Sequence, residues 1–324
     1  MKRSKKYLLA ALLAAACTLS SRAQGTDAGV MSSLLLPADA RTAAMAGAAT
    51  AVAENPLALH TNAALGLLGE HRSGGALSAG PWNSGFDGAD VLYTAGGFHS
   101  PDGRNLILAG VSFLNGPRID MTDDEGFPAG SARPWDLAAE AGYGCLFGKG
   151  FSLALTVRYL RSDAGFGGKP MQGVAFDLGA AYRHALRGVA GGSWTVGLRV
   201  ADAGPRIATD DGSRAALPLR AALGGALQLP FSPDHRLVVS LDAGHQFRGG
   251  FTHAALGAEY TFLRHGVVRG GYRLGQKEKG EGSYATVGGG FIVGPVRCDV
   301  AWRFGGPSCN PRNKSLLFTV GFLL

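Results

Sequence analysis

The sequence predicts an all-β protein, a closed antiparallel transmembrane β-barrel of about fourteen strands. Three observations predict it: an apolar/polar alternation of period two from residue 71 to the C terminus, connections that alternate between short and long, and 51 glycines in 324 residues. That is more than twice the usual ~7% glycine. Each glycine inside a helix costs about 1 kcal/mol relative to alanine, which argues against a helical architecture. Charged residues are 17% of the chain, against about 25% in ordinary soluble domains. The apolar content of 46% excludes a disordered chain. The absence of a Gly-X-Y period excludes collagen.

Residues 1–23 read as an export signal. Lys2, Arg3, Lys5 and Lys6 form a basic head. Residues 7–17 form an apolar core too short to span a bilayer, which needs about 20 apolar residues. Ser21 and Ala23 put small residues three and one before Gln24, so cleavage is expected there. A lipoprotein signal at Cys17 is the lesser alternative, because Ala14 stands where a large aliphatic residue is preferred. The formal charge of +7 is mostly this leader. Without it 26 basic residues face 24 acidic ones, so no bulk positive field recruits nucleic acid. No later run offers the ~18 apolar residues of a transmembrane helix. Cys145, Cys298 and Cys309 lack metal-ligand spacing. They read as unpaired thiols, with a Cys298–Cys309 bridge as the alternative.

Residues 24–70 are rich in Ala and Leu. A short helix starting near Ala40 is expected, with Asp39 as its N-cap, and Asn55-Pro56 is a breaker. From residue 71 the period becomes two. In residues 151–160, Phe151, Leu153, Leu155, Val157 and Tyr159 oppose Ser152, Ala154, Thr156 and Arg158. Residues 174–183, 194–201, 237–246 and 296–304 repeat the pattern. Successive strand side chains point to opposite faces, so each segment has one apolar face and one small or charged face. Fourteen strands are expected to start near residues 71, 89, 105, 133, 151, 171, 193, 215, 236, 252, 266, 283, 296 and 315. That leaves about 18 residues for each strand with its connection, enough for the 9–11 residues of a membrane strand.

The links after even-numbered strands are short, as at Gly148-Lys149-Gly150 and Gly294-Pro295. Several links after odd-numbered strands are long and polar: 116–132, 162–170, 202–214, 275–282 and 305–314. Outer-membrane barrels show this asymmetry, with short periplasmic turns and longer external loops. The last strand carries an apolar stripe at Leu316, Phe318, Val320, Phe322 and Leu324. The inward face is expected to carry a lumen charge network of Arg158, Asp177, Arg183, Arg199, Asp242, Glu259, Arg269, Arg273, Arg297, Asp299 and Arg303. Inward Gly and Ala are expected to make room for the large arginines.

Leu34-Leu35-Leu36-Pro37-Ala38-Asp39-Ala40-Arg41, Met45-Ala46-Gly47-Ala48 and Asn62-Ala63-Ala64-Leu65 together resemble the opening signature of the PorV family. Those are Bacteroidetes outer-membrane proteins of the type IX secretion system, within a wider FadL-like class of fourteen-stranded barrels. Ala46 and Ala63 depart from the family's Gly and Pro. Arg133-Pro134-Trp135-Asp136, Val174-Ala175-Phe176-Asp177, Leu217-Pro218-Leu219-Arg220 and the final strand extend the likeness; a PorQ-type sibling fits it too. The resemblance implies an N-terminal plug over residues 24–70, with Asp39, Arg41, Met45, Gly47 and Asn62 as its motif. The barrel would be residues 71–324, in the outer membrane of a Gram-negative bacterium. It also implies binding of the C-terminal signal domain of secreted cargo at the cell surface and transfer to an attachment complex. Implied partners are secreted cargo, other type IX components and outer-membrane lipid, with no cofactor. The expected contact surface is loops 116–132, 202–214 and 305–314.

Other readings are weaker. A FadL-like channel for hydrophobic small molecules would need a greasy pocket and a kinked wall strand. No serine elbow, HExxH or phosphate-cradling loop is present, so an enzyme is not expected. The acids Asp120, Asp123, Asp124, Glu125, Asp210 and Asp211 read as solvated loop charge, since calcium-loop spacing is absent. Asp39 and Arg41 could latch the N-terminal segment to lumen charges, or serve as a helix cap and a solvated arginine.

Overall fold

A computed structural model describes residues 30–85, 88–210, 212–279, 282–305 and 315–324. The export signal and Cys309 lie outside the described residues. Strands β1 (Ser73–Gly85), β2 (Gly88–His99) and β3 (Asn105–Asn115) open the wall. A small hairpin, β4 (Ile119–Thr122) with β5 (Pro128–Ala132), follows. The wall resumes with β6 (Trp135–Phe147), β7 (Phe151–Asp163), β8 (Met171–Ala185) and β9 (Ser193–Ala203). A second small hairpin pairs β10 (Ile207–Ala208) with β11 (Arg214–Ala215). Strands β12 (Arg220–Ser232), β13 (His235–Gln246), β14 (Phe251–Phe262), β15 (Gly266–Leu274), β16 (Tyr284–Val293), β17 (Val296–Gly305) and β18 (Ser315–Leu323) complete it. Among the described residues fourteen antiparallel strands close, because β1 pairs with both β2 and β18. Closure leaves no edge, which lipid demands because it offers no hydrogen-bond partners.

Thirteen of the fourteen expected starts fall within two residues of an observed wall strand. The exception is residue 215, which belongs to the β10–β11 hairpin; the wall strand begins at Arg220. The two small hairpins were not anticipated inside the long links. Alternation gives the wall its two solvents. Leu155, Val157 and Tyr159 are exposed on the outside, whereas Ala154, Thr156 and Arg158 are buried inside. Exposed aromatics gather toward both ends of the wall: Phe147, Phe151 and Phe291 at the short-turn end, Trp302, Phe304 and Phe247 at the other. Outer-membrane barrels carry such girdles at both interfaces. Asp102 shapes the turn before β3. Its carboxylate accepts the N–H groups of Asn105 and Arg104, which holds its pKa down to about 2.

Residues 30–69 lie inside. They form 3-10 turns at Ser32–Leu35 and Ala63–Leu67 and short helices at Ala40–Ala44 and Ala58–Thr61. Asp39 caps the Ala40–Ala44 helix by accepting the Thr42 N–H at 2.7 Å. Leu59, Leu65 and Leu68 pack on Phe98, Leu106 and Leu108 at the short-turn end. Met31 and Leu34 pack on Leu160, Ile207 and Leu217 at the long-loop end. Many inward glycines also make room for this segment, in addition to the expected room beside large charged side chains. A Cβ on Gly257 would sit 2.8 Å from the Met45 Cβ, and one on Gly271 would sit 2.7 Å from the Ala46 backbone nitrogen. Gly197 and Gly179 face Thr50 and Asn62 in the same way.

Candidate functional site in the barrel lumen

The inward charges gather into two clusters on opposite stretches of wall. The first centres on Glu259, which faces Arg269 directly across β14–β15. Glu259 accepts from Arg269 Nε at 2.6 Å and from Arg297 at 3.0 Å. Arg41, arriving from the inner segment, grips both its oxygens at 2.8 Å. Asp299 closes the cluster, 2.9 Å from Arg269 and 2.6 Å from Arg297. Arg269 reaches Asp299 across β16, whose inward positions there are Gly288 and Gly290. The remaining Arg41 nitrogen donates to the Ala53 and Glu54 carbonyls at 2.9 Å each, so one side chain ties two parts of the segment to the wall. Burial pushes the Arg41 guanidinium below its ordinary range, and Glu259 opposes that. A planar fork meeting a carboxylate in two parallel bonds is the strong form of this contact.

The second cluster centres on Arg158, only 2% exposed. It meets Glu140 at 3.1 Å, Asp177 at 2.7 Å and Asp202. Arg199 pairs with Asp177 at 2.5 Å and donates to the His60 carbonyl at 2.7 Å. Arg220 pairs with Asp202 at 2.9 Å and donates to the Leu34 carbonyl at 2.6 Å. His60 Nδ1 lies 3.0 Å from Glu140. Three arginines therefore face three carboxylates, and two of the arginines also hold the inner segment. Taking such ions out of water is costly, and only this degree of mutual pairing offsets it.

Four of the anticipated luminal residues stand outside the clusters. Asp242 accepts the Thr50 N–H at 2.8 Å. Arg183 donates to Ser193 at 3.1 Å and to the Leu68 carbonyl. Arg303 stacks on Trp82 and Tyr284, at 5.3 and 4.2 Å from the ring centres. Arg273 lies against Gly47 and lines a cavity of about 140 Å³ between the inner segment and the wall, together with Leu36, Trp82, Asp242, His253 and Tyr284. Among the motif residues, Arg41 alone makes an ion pair with the wall. Asp39 binds Thr42 and Asn55 within its own segment. Met45 is buried beside Val52 and Val238. Gly47 has φ +84°, a left-handed turn that suits glycine. Asn62 donates to the Thr50 and Ala180 carbonyls at 2.9 and 3.2 Å.

Glu140, Asp202, Arg220 and His60 were missed by the sequence reading. Asp202 has a specific cause. Phe176 pairs with Ala203 and Leu178 with Val200, so two residues of β9 oppose Asp177 alone. This β-bulge, with Asp202 at φ +61°, turns its carboxylate into the lumen. Cys145 and Cys298 form no disulfide among the described residues. Among the described residues no cluster of His, Cys, Asp and Glu could hold a metal ion. The loop acids bind locally: Asp123 accepts the Glu125 and Phe127 N–H groups, and Asp120 pairs with Arg118.

The fold is shared with solved transporters. The Pseudomonas putida toluene transporter TodX superposes with a TM-score of 0.60 at 13% identity, covering 88% of this chain and 98% of that one. The Ralstonia pickettii toluene transporter TbuX gives 0.57 at 13% identity, and a Pseudomonas aeruginosa FadL homologue 0.55 at 13%, each with the same coverages. At such identities the likeness is one of fold. No curated protein matches the chain in sequence. The family model "Type IX secretion system protein PorV" matches residues 20–247, more than two thirds of the chain. With its fourteen-stranded wall and its inner segment, the chain belongs to the PorV family of type IX secretion outer-membrane proteins.

Proposed function

We propose that the protein handles cargo for type IX secretion: its external loops bind the C-terminal signal domain of secreted proteins and pass them to an attachment complex. The family match over residues 20–247 carries this reading. The lumen supports it, because two ion-pair clusters tie the inner segment to the wall and leave recognition to the outside. The β4–β5 hairpin presents Phe127, 66% exposed, and the link between β7 and β8 presents Phe166, 59% exposed. A two-stranded hairpin has unpaired outer edges, and a β-rich signal domain can add a strand to such an edge. The test replaces residues 119–131 with a tight turn. The barrel should still reach the outer membrane while surface delivery of cargo falls at least tenfold. Unchanged delivery would overturn the role of this loop, and unchanged delivery after deletion of the gene would overturn the function.

A second reading, a channel for hydrophobic small molecules, is favoured by the fold shared with the toluene transporters. The cavity weighs against it, since Asp242, His253 and Arg273 are among its lining. Uptake of an aromatic hydrocarbon into liposomes bearing the purified protein would favour this reading over the first.

A further inference from the structure

Large apolar side chains ridge most of the lipid-facing wall. The wall is different where β1, β2 and β3 meet β18. Gly75, Ala79, Ala95, Gly97 and Ala109 occupy outward positions there, and Gly75 and Gly97 are register partners, so bare backbone faces bare backbone. Phe318, Val320 and Phe322 bank one side of this valley, Ile107 and Val111 the other. Two apolar hollows, of about 740 and 470 Å³, lie end to end and share Leu77 and Val320.

Length and ends define what fits. The valley runs from His99 at the short-turn end to Tyr93, halfway along β2. Six residues of strand are roughly 20 Å, and a tilt of about 40° converts that to roughly 15 Å of depth. Half of a ~30 Å hydrocarbon core is the same depth. The valley therefore spans one leaflet, the periplasmic one, because short turns face the periplasm. Its lower end is polar: Ser73 Oγ lies 2.7 Å from His99 Nδ1. Exposed Arg72 and Arg104 stand on that rim, with Glu70 and Asp102 beside them in the chain. Guanidinium and carboxylate groups together complement a zwitterionic headgroup, phosphate to the first and amine to the second.

We infer that this valley is a binding site for one glycerophospholipid of the periplasmic leaflet, an acyl chain lying along β1–β2 and the headgroup on the Arg72–Arg104 rim. The inference is independent of how cargo is handled. A partner's membrane-spanning wall is the rival occupant, but it would meet the whole height of the barrel rather than one leaflet's depth.

The test uses the full chain, purified from outer membranes in mild detergent and examined by native mass spectrometry. One glycerophospholipid should stay with each barrel. Filling the valley with Ala95→Phe and Ala109→Phe should lower that occupancy at least fivefold, while Ala180→Phe on the far wall leaves it unchanged. Heat-modifiable migration in electrophoresis reports whether each variant is a folded barrel. If the filled variant does not fold, the wild-type protein is reconstituted with phosphatidylethanolamine carrying an acyl-chain diazirine. Crosslinks should then concentrate on peptides from β1–β3 and β18. Bare wild-type barrels, equal retention in a folded filled variant, even crosslinking around the wall, or a second membrane protein retained in place of the lipid in the native mass spectrum would each overturn the site.

Discussion

Asp202 sits where strict alternation would place a carboxylate in lipid, and the bulge beside Asp177 turns it inward to Arg158 and Arg220 instead. Removing one partner of a buried pair leaves an uncompensated charge, at a cost of about 3–5 kcal/mol. Asp202→Asn should therefore lower unfolding stability by that order in urea titrations of the barrel in micelles. A double-mutant cycle with Arg220→Met should show coupling of about 1 kcal/mol or more, as residues sharing a network do. Additive effects would mean the two side chains do not interact. Glu259→Gln tests the other cluster: three arginines would meet a neutral amide, and a loss of about 3–5 kcal/mol is expected in the same titration. Parity explains what could be read beforehand. Arg158, Asp177 and Glu259 fall on the small-residue face of clearly alternating segments. Glu140 shares that parity, but its neighbours Ala138, Ala139 and Ala141 give no apolar contrast to reveal it. Asp202 needed the bulge, which nothing in a two-residue period encodes.

Among the elements, the inner segment and the glycines of β14 and β15 are mutually dependent. Met45 and Ala46 lie so close to Gly257 and Gly271 that a side chain there meets backbone. Forcing extra methylenes into such a contact costs about 1–3 kcal/mol. Gly271→Val should keep the wall closed, since its side chain points inward, but should loosen residues 40–50. Limited proteolysis with proteinase K would then clip that segment faster than in the wild type, with the wall strands still protected; equal clipping rates would show that the glycine is not needed for the packing. The strands were legible because both solvents impose a period of two on them. The start of β12 was not. Ala215-Ala216-Leu217 reads as an apolar run, yet Pro218 offers no N–H for a ladder, and the wall pairing with β9 and β13 begins only at Arg220. The segment's path was equally illegible, because it follows gaps that glycines on distant strands leave, and those gaps exist only once the barrel has closed.

For the whole molecule, the question is whether the lumen conducts, and the ion pairs make the answer depend on a few contacts. Arg41 to Glu259 anchors one side of the inner segment, while Arg199 and Arg220 hold the His60 and Leu34 carbonyls on the other. The apolar packing of Leu59, Leu65 and Leu68 seals the short-turn end. With both sides anchored, the segment is expected to obstruct ion flow, so the wild-type protein in a planar bilayer should stay closed. Arg41→Ala removes one anchor and leaves Glu259 with Arg269 and Arg297, so the wall cluster survives while the segment can swing. That variant should show flickering conductance. Deleting residues 30–70 removes the whole obstruction and should give a steady open channel, with conductance at least tenfold above the wild-type background. The charge left in the emptied lumen then sets selectivity. Arginines outnumber carboxylates along the β14–β17 wall, where Arg269, Arg273, Arg297 and Arg303 face Glu259 and Asp299. Reversal potentials across a salt gradient should accordingly favour anions. A truncated barrel that stays closed, or one that prefers cations, would show that the inner segment is not what seals the lumen or that the wall charge is balanced in another way.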